Sequence, residues 1–362
     1  MSMIRLPRRT LAEAASTLER IAPTRPSQPI YAQLYLEAEG DSLILRASNG
    51  ELDLELRVPA EVESGFKTLV PAHLFGQLVR SANAELAEFR LTPEGLTLEI
   101  GSFKTRLTTA DAEAFPPLEL GEGTEVELPA DVLARALGRV RYAAANEEYR
   151  AIFRGIQLEL GPERFRAVAT DGFRLALYDA SVNAAEPLKR VVPARSADEL
   201  VRLLKDGEEP LTLRFSEGRL GVEGPRFRMG LSLMEGTLPD YERVIPQSFV
   251  FEAVADAEAL RQAIERVRVL ADRMTQRIDL HFSPGRIELA AEGEYGQARE
   301  ELEVATKGEG PLLAAFNAQY LGDALKGLKG PVRFRLSGPT TPSTLTGEEE
   351  PGYLAVVVPL RV

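Results

Sequence analysis

The pattern of apolar and polar residues repeats three times along the chain, with a period of about 122 residues. In each copy, a short strand-like segment is followed by two apolar residues seven positions apart. The three pairs are Leu11/Leu18, Leu133/Val140 and Leu260/Val267. Because seven residues make two helical turns, both members of a pair lie on one face of a predicted helix. The repetition therefore predicts three copies of one structural unit.

The second shared element is a strand that leads into a polar turn with glycine. Apolar residues alternate before the turn, which predicts half-buried strands. They are Leu43/Leu45, Phe165/Ala167 and Ile287/Leu289. The turns, at 48–50, 170–172 and 291–293, each place a polar residue before glycine. Since glycine accepts positive φ at low cost, these segments predict hairpins.

A second helix is predicted after each hairpin. Pro71, Pro193 and Asn317 stand at equivalent positions, and proline or asparagine suits the start of a helix. Further strand patterns follow. We therefore predict an α+β protein of three repeated domains, each with two helices against an antiparallel sheet. The expected domain boundaries are 1–122, 123–248 and 249–362.

Composition narrows the function classes. The chain has 362 residues, of which 44% are hydrophobic and 27% charged, so folded domains are expected rather than disorder. It has no cysteine and only two histidines, His73 and His281, so neither a metal site nor a cofactor is predicted. The longest apolar run, 354–360, contains a proline and is far shorter than the roughly 20 residues that span a bilayer. We therefore expect a soluble cytoplasmic protein without membrane contact.

Positive charge recurs at equivalent positions of the repeats, although the chain has a net charge of −12. A cation follows the start of each second helix at the same spacing: Arg80, Arg202 and Lys326. The first helices of copies two and three share two more pairs, Arg139/Arg266 and Arg141/Arg268. Copy one departs, with Thr17 and Glu19. These cations are either ordinary solvated residues or a common electropositive surface that holds a duplex through its phosphates.

Two predicted strand edges carry opposite charge. Lys104 and Arg106 flank a strand of copy one, and Glu300, Glu301 and Glu303 line a strand of copy three. Contacts between unlike ends of a chain close into a ring when the rotation per domain completes a circle. Pairing of these edges would remove exposed strand edges and add ion pairs. Ordinary surface charge is the competing interpretation.

Four segments resemble the bacterial replicative sliding clamp, the β subunit of DNA polymerase III. They are 168–176 (VATDGFRLA), 238–246 (LPDYERVIP), 316–320 (FNAQY) and 358–361 (VPLR). The resemblance covers the whole chain in order, and its details are similar to clamps of the Thermus–Deinococcus group. It implies a DNA clamp fold and a head-to-tail homodimer of six domains around duplex DNA. The implied function is a processivity factor rather than an enzyme. The implied partners are the replicative polymerase, the clamp loader and other proteins with clamp-binding peptides.

The resemblance also implies where such partners insert a short, glutamine-containing apolar peptide, between domains two and three. The implied pocket residues are Ile152, Phe153, Thr170, Gly172, Phe173, Arg174, Leu175, Pro239, Arg243, Val244, Asn317, Tyr320, Thr340, Pro342, Val356, Val358, Pro359, Leu360 and Arg361. Phe173 departs from the family pattern, in which a histidine usually stands at this position. A more apolar pocket rim follows from that difference.

Two further residue sets combine the charge pattern with the resemblance. The residues expected to contact double-stranded DNA, independently of its sequence, are Arg25, His73, Arg80, Arg139, Arg141, Arg150, Arg195, Arg202, Arg266, Arg268 and Lys326. The expected dimer interface is Lys104, Thr105, Arg106, Leu107, Val269, Leu270, Glu300, Glu301 and Glu303.

Two other functions compete with that of a clamp. Asp171 beside Gly172 and Arg174 could serve as a catalytic carboxylate, but its aligned residues Asn49 and Glu292 favour a turn role. The adjacent pair at 147–148 would not converge on a regular helix or strand, and a lone carboxylate is a weak indication of catalysis. A peptide-binding scaffold that never encloses DNA is the second alternative, which would not need a cation shared by all three copies.

Overall fold

The computed structural model describes residues 2–146, 150–183, 186–205 and 207–361, so the carboxylate pair at 147–148 lies outside the described residues. The α-helices are α1 (Arg8–Glu19), α2 (Ala72–Ser81), α3 (Ala130–Val140), α4 (Ala194–Leu203), α5 (Ala257–Arg268) and α6 (Ala318–Leu325). The strands are β1 (Ser2–Pro7), β2 (Gln33–Glu39), β3 (Ser42–Ser48), β4 (Leu52–Pro59), β5 (Glu61–Val62), β6 (Phe66–Pro71), β7 (Leu86–Thr92), β8 (Gly95–Ile100), β9 (Phe103–Leu107), β10 (Thr124–Pro129), β11 (Gly155–Gly161), β12 (Arg164–Thr170), β13 (Arg174–Ser181), β14 (Leu188–Pro193), β15 (Pro210–Phe215), β16 (Arg219–Glu223), β17 (Phe227–Ser232), β18 (Phe251–Asp256), β19 (Arg277–Ser283), β20 (Arg286–Gly293), β21 (Gly296–Glu303), β22 (Ala305–Gly308), β23 (Leu312–Asn317), β24 (Pro331–Leu336), β25 (Ser343–Gly347) and β26 (Glu350–Val357).

The chain forms two compact units. Unit 1 is Met1–Asp131 with Lys205–Leu233, and unit 2 is Val132–Leu204 with Met234–Val362. Unit 1 contains a five-stranded sheet, β5-β1-β7-β8-β9, and an eight-stranded sheet, β10-β15-β16-β17-β4-β3-β2-β6. Unit 2 contains a nine-stranded sheet, β14-β11-β12-β13-β26-β25-β24-β18-β22, and a four-stranded sheet, β21-β20-β19-β23.

The two long sheets explain why the units cut across the sequence copies. In unit 1, β17 of copy two pairs antiparallel with β4 of copy one. In unit 2, β26 of copy three pairs antiparallel with β13 of copy two. Each long sheet is therefore continuous through a junction between successive copies. The domain boundaries at 122/123 and 248/249 stay predictions.

The six helices appear where the repeat predicts them. The paired apolar residues of the first helices, Leu11/Leu18, Leu133/Val140 and Leu260/Val267, are all buried. The second helices begin directly after Pro71, Pro193 and Asn317. Asn317 caps its helix, because its side-chain oxygen accepts hydrogen bonds from the backbone N–H groups of Gln319 and Tyr320. Lys326 follows the last residue of α6, whereas Arg80 and Arg202 lie in the last turn of their helices.

Strand pairing corrects the alignment of the third hairpin by one residue. In all three hairpins a buried alanine pairs with the residue seven positions later: Ala47, Ala169 and Ala291. The counterpart of Asn49 and Asp171 is therefore Gly293 and not Glu292. The turn role predicted for Asp171 is nevertheless present, because both Asn49 and Asp171 accept two backbone N–H hydrogen bonds across their turns.

The predicted half-burial of the strands is right for β20 and wrong for β3. Buried and partly exposed residues alternate through most of β20, whereas β3 is buried on both faces. The second face of the β3 sheet is covered by the chain that follows β9. There Ala112 and Phe115 pack on Tyr35 and Leu69, and Leu69 pairs with Ala110.

Among the described residues, none of the helices has the length and apolar character that crossing a membrane requires.

Candidate functional site

A tight turn between β12 and β13 projects Phe173 into solvent. The Thr170 hydroxyl donates to the carbonyl of Arg174 at 2.7 Å and accepts from the N–H of Gly172 at 3.1 Å. Asp171 Oδ1 accepts from the N–H groups of Phe173 and Arg174 at 2.9 and 3.0 Å. Gly172 has φ +92°, a backbone conformation that residues other than glycine rarely adopt. With its backbone held in this way, Phe173 remains 63% exposed.

Arg174 beside this turn is held by charges and rings. Its guanidinium pairs with Asp171 at 3.0 Å and Asp323 at 2.7 Å. It also lies over the rings of Tyr320 and Tyr142, with centroid distances of 4.4 and 5.5 Å. Two carboxylates therefore neutralise this cation, and the rings fix its plane. Arg174 is a rigid wall of the site rather than a free anchor for an acidic ligand.

An apolar pocket of about 230 Å³ lies at the junction of β13 and β26 in unit 2. The pocket is lined by Arg150, Phe153, Thr170, Gly172, Phe173, Arg174, Leu175, Pro239, Asp240, Tyr241, Val244, Pro342, Val356 and Val358. Its floor belongs to a buried cluster that includes Phe153, Val168, Leu175, Leu177 and Val356. Exposed apolar side chains at its mouth suit burial against an apolar ligand.

A second and more polar pocket of about 570 Å³ shares a wall with the first. Both pockets contain Arg150, Phe153, Gly172, Phe173 and Arg174. The second is completed by Ala144, Ala145, Asn146, Asp171 and Tyr320. Phe173 thus stands between an apolar and a polar cavity, so a ligand longer than one side chain can contact it on both sides.

The structure brings together most, but not all, of the implied pocket residues. Ile152 packs against the buried cluster below the pocket, and Arg243 is 85% exposed and paired with Asp240 at 2.7 Å. Thr340 and Arg361 are exposed, and neither lines the two pockets. Pro359 and Leu360 also lie outside them; the Leu360 N–H donates to the carbonyl of Ala315 on β23.

Asp240 and Tyr241 line the apolar pocket, but sequence reasoning missed both. They lie inside the recognised segment 238–246, between Pro239 and Val244, which were assigned to the pocket. An acidic residue followed by a tyrosine forms no periodic pattern, so the local sequence does not show whether the two residues line a pocket or lie on a surface loop. Only the recognised segment itself could have pointed to them.

In the described part of the chain, five of the eleven cations expected to contact DNA are paired with acidic residues of their own unit. The pairs are Arg80–Glu19, Arg139–Glu350, Arg141–Asp198, Arg202–Glu199 and Arg266–Glu300. Arg268 donates to the Gln276 amide at 3.1 Å, and His73 Nε2 lies 2.9 Å from the Ala22 carbonyl. The pairs of Arg80, Arg202 and Arg266 are exposed on the arginine side, where partners exchange at small cost, whereas Arg139 and Arg141 are only 22% and 28% exposed.

Three cations of the set differ from the others. Arg25, Arg195 and Lys326 are exposed, and within the described part of the chain their side chains form no ion pair. Arg150, also exposed, lies over the ring of Phe153 with a centroid distance of 5.4 Å. Among the expected DNA contacts, these three cations carry a charge that no ion pair within the described residues neutralises.

The strands expected at the dimer interface are both sheet edges. β9 ends the five-stranded sheet of unit 1, and β21 ends the four-stranded sheet of unit 2. Lys104 and Arg106 are exposed on β9, whereas Leu107 is buried within unit 1 and Thr105 is half-buried. Glu301 and Glu303 are exposed on β21. Glu300 is half-buried because it pairs with Arg266 at 2.5 Å, and this contact lowers the pKa of its carboxyl.

A repeated α+β architecture with continuous sheets through its internal junctions is that of the DNA clamp fold. Family models of the DNA polymerase III beta subunit match the chain in order: the N-terminal domain at 2–119, the central domain at 127–240 and the C-terminal domain at 242–361. The beta sliding clamp of Caulobacter vibrioides is 30% identical over 368 residues, covering 98% of each chain. That of Synechococcus elongatus is 29% identical over 366 residues, covering 97% of each chain.

Solved structures agree. The DnaN sliding clamp of Pseudomonas aeruginosa bound to griselimycin superposes with a TM-score of 0.94 at 27% identity, covering 100% of both chains. The Bacillus subtilis clamp has a TM-score of 0.93 at 22% identity, over 100% of this chain and 99% of that one, and supports the fold alone. The chain therefore belongs to the DNA polymerase III beta subunit family, the beta sliding clamps. Its function is that of a sliding clamp and processivity factor, without enzymatic activity of its own.

Proposed function

We propose that partner proteins bind this clamp by inserting a short apolar peptide into the pocket at the β13–β26 junction. The observation that carries the proposal is the open cavity with Leu175, Val356 and Val358 on one side and Pro239 and Val244 on the other. Apolar walls of this size accept leucine and aromatic side chains. The second pocket beyond Phe173 offers polar groups that can orient the rest of the peptide. We expect the replicative polymerase and the clamp loader to be among these partners.

The Pseudomonas aeruginosa clamp has been solved with griselimycin bound, and we propose that this compound competes for the same pocket here. Asn317, Tyr320, Pro359, Leu360 and Arg361 complete the proposed peptide contacts. The chain's last residues follow β26 directly and pair with β23 through Leu360. Leu360 thus lies beside β23, and we expect the far end of a longer peptide to contact it there.

We further propose that two chains form a closed ring through their open edges. In each unit, the long sheet forms because the last strand of one sequence copy pairs with a strand of the preceding copy. These pairs are β17 with β4, and β26 with β13. By position in the repeat, β9 is the counterpart of β17 and β26, and β21 is the counterpart of β4 and β13. Within one chain β9 and β21 both end their sheets. Pairing β9 with β21 of a second chain would supply the missing junction twice and add Val269 and Leu270 to the contact.

The proposed ring holds double-stranded DNA without reading its sequence. Equivalent cations of the repeats, with Arg25, Arg150 and Arg195, would face the phosphates, and the acidic remainder of the chain would limit tight non-specific binding. Encirclement rather than affinity would then retain the clamp on DNA. A location in the cytoplasm, where replication proteins of bacteria act, follows from this role.

Peptide binding can be tested by fluorescence anisotropy. The probe is a fluorescein-labelled five-residue peptide with one glutamine and a leucine–phenylalanine end, titrated with the intact protein and with a variant that ends at Val358. Saturable binding that unlabelled griselimycin displaces and truncation abolishes supports the site. No binding by the folded intact protein would overturn the proposal.

Encirclement needs a separate test. The labelled clamp is loaded onto nicked circular DNA by a clamp loader, isolated by gel filtration, and then treated with a restriction enzyme that cuts the circle once. Release on linearisation indicates a topological link. Equal retention on circular and linear DNA, or none on either, would favour a peptide-binding scaffold that does not enclose DNA.

A further inference from the structure

One wall of the apolar pocket belongs to no sheet. Pro239, Asp240, Tyr241 and Val244 line the pocket from a segment that contains a single short 3₁₀ helix, Tyr241–Val244. Its backbone hydrogen bond from the Ile245 N–H to the Glu242 carbonyl is internal to the segment. A wall of this kind needs tethers from side chains elsewhere if the cavity is to keep its shape before a ligand binds.

Two buried polar side chains on β11 provide these tethers. Gln157 and Glu159 are 1% and 2% exposed, respectively. The Gln157 carbonyl oxygen accepts the backbone N–H of Leu238 at 2.7 Å, and the Gln157 amide donates to Glu159 Oε1 at 2.7 Å. The hydroxyl of Tyr241 donates to the same Glu159 oxygen at 2.9 Å. Lys189 and Arg164 also pair with Glu159, at 3.5 and 3.9 Å, so the buried carboxylate is held in place and offers Tyr241 a fixed acceptor.

Arg166 on β12 closes the network from the other side. Its guanidinium donates to the Tyr241 hydroxyl oxygen at 3.2 Å and to Asp179 at 2.7 and 2.8 Å. It also reaches Glu242 at 3.1 Å. Burial raises the pKa of Tyr241, so its hydroxyl remains a donor at physiological pH. The pocket wall is thus held at Leu238, Tyr241 and Glu242 by charged or amide groups.

We propose that Gln157, Glu159 and Arg166 are positioning residues for the peptide site. They do not touch the ligand, but hold the segment 238–244 so that Pro239 and Val244 meet its apolar side chain. This inference rests on the proposed peptide binding. The network adds directional hydrogen bonds to the apolar packing of Leu238 and Tyr241 in the buried cluster, and such bonds define a position more sharply than apolar contact does.

The central variant is Tyr241→Phe, which removes one hydroxyl and leaves the ring in the buried cluster. We expect its affinity for the labelled peptide to fall about fivefold, the size of effect that loss of one typical hydrogen bond produces. Gln157→Leu, which frees the Leu238 N–H, should act in the same direction. Tyr178→Phe is the matched control, because Tyr178 is buried in the same unit and makes none of these hydrogen bonds.

A double-mutant cycle separates positioning from general destabilisation. The terminal phenylalanine of the peptide is changed to alanine, and both peptides are measured by competition against wild-type protein and Tyr241→Phe. Positioning predicts that the variant weakens the phenylalanine peptide only. An equal drop in affinity for both peptides, or unchanged affinity for both, would overturn the inference. Failure of the wild-type protein to bind any peptide would instead overturn the proposed function itself.

Discussion

Arg219 at the start of β16 forms an ion pair with Asp53 of β4, and both side chains are only 14% exposed. The guanidinium also donates to the Ser232 hydroxyl at 2.9 Å and to the carbonyls of Glu51 and Glu119 at 3.2 and 3.0 Å. One arginine therefore fills the space between the turn after β3 and the end of β17. All of these contacts lie within unit 1.

The same place in unit 2 is the apolar pocket. The two junctions share one backbone hydrogen bond: Ser232 N–H to the Glu51 carbonyl at 2.8 Å, and Val358 N–H to the Phe173 carbonyl at 3.2 Å. By this correspondence Pro342 replaces Arg219, and Leu175 replaces Asp53. The unit 1 junction is thus polar and filled by Arg219, whereas the unit 2 junction is apolar and open.

This difference predicts the number of peptides that bind. Isothermal titration of the intact protein should give about one peptide per chain, because Arg219 fills the unit 1 junction whereas the unit 2 junction is an apolar cavity. Griselimycin should compete for all of the bound peptide. A stoichiometry near two per chain would mean that the unit 1 junction opens, and that Arg219 does not close it.

Replacing Arg219 with alanine should destabilise unit 1. The change leaves the Asp53 carboxylate without its cation in a site where burial already raises the pKa of that carboxyl, opposed by Ser48 and Arg219. Removal of one partner of a buried pair costs about 3 kcal/mol, measurable as a lower urea midpoint. Arg226→Ala is the control, because that side chain is 79% exposed.

The pH dependence of this destabilisation has a definite sign. Without Arg219 the folded-state pKa of Asp53 rises further above its unfolded value of about 3.9, so the folded variant holds its proton more tightly than the unfolded chain does. The stability of Arg219→Ala should therefore fall as pH rises above about 4, and its deficit relative to wild type should shrink in acid. A deficit independent of pH would contradict the assigned role of Asp53.

Sequence periodicity predicted the elements whose determinants are local. The buried pairs such as Leu11/Leu18 encode a helix face, and Asn49 and Asp171 encode turns through their own backbone contacts. The junctions could not be found in this way. The pairing of β17 with β4 joins residues such as Arg228 and Glu55, whose separation along the chain carries no periodic pattern.

The charge pattern had the same limit. Equivalent arginines were recognised by their spacing, but apart from Glu199, which pairs with the nearby Arg202, their acidic partners lie far away in sequence, as Glu350 does from Arg139. The tether from Tyr241 to Glu159 is another long-range contact. Local sequence reports which side chains a helix or turn presents, whereas the neutralisation of a charge depends on which distant strand folds against it.

Phe173 should contribute to peptide affinity without contributing to stability. It is 63% exposed and stands between the two pockets. Phe173→Ala should weaken binding of the labelled peptide about tenfold, because exposed aromatic anchors dominate such contacts, and should leave the thermal midpoint unchanged. Leu86→Ala, an exposed apolar side chain of unit 1, is the control and should bind the peptide as wild type does.

The proposed ring can be tested by reversing charge on one edge at a time. A variant with Lys104→Glu and Arg106→Glu should be monomeric, because its β9 then faces Glu301 and Glu303 of a second chain. A variant with Glu301→Lys and Glu303→Lys should be monomeric for the opposite reason. Mixing the two should restore dimers, since both seams of the mixed ring again join opposite charges.

Native mass spectrometry distinguishes monomers from dimers by mass. High salt should partly restore the dimer of each variant alone, because it screens the repulsion between like charges. A dimer that persists in either reversed variant at low salt would place the interface elsewhere than the β9 and β21 edges. Monomers that fail to combine on mixing would show that the substitutions damaged the strands rather than their electrostatic fit.

Unpaired cations should matter more for DNA than paired ones. Arg195 and Lys326 are exposed and form no ion pair within the described ranges, whereas Arg202 is paired with Glu199. Removing one cation that binds a phosphate should reduce the slope of log affinity against log salt by about 0.9. Arg195→Ala and Lys326→Ala should each show this reduction with a labelled 30-base-pair duplex, and Arg202→Ala a smaller one. The comparison is internal: if all three variants change the slope equally, the ion pair does not limit Arg202, and if none does, the DNA-facing surface lies on other residues.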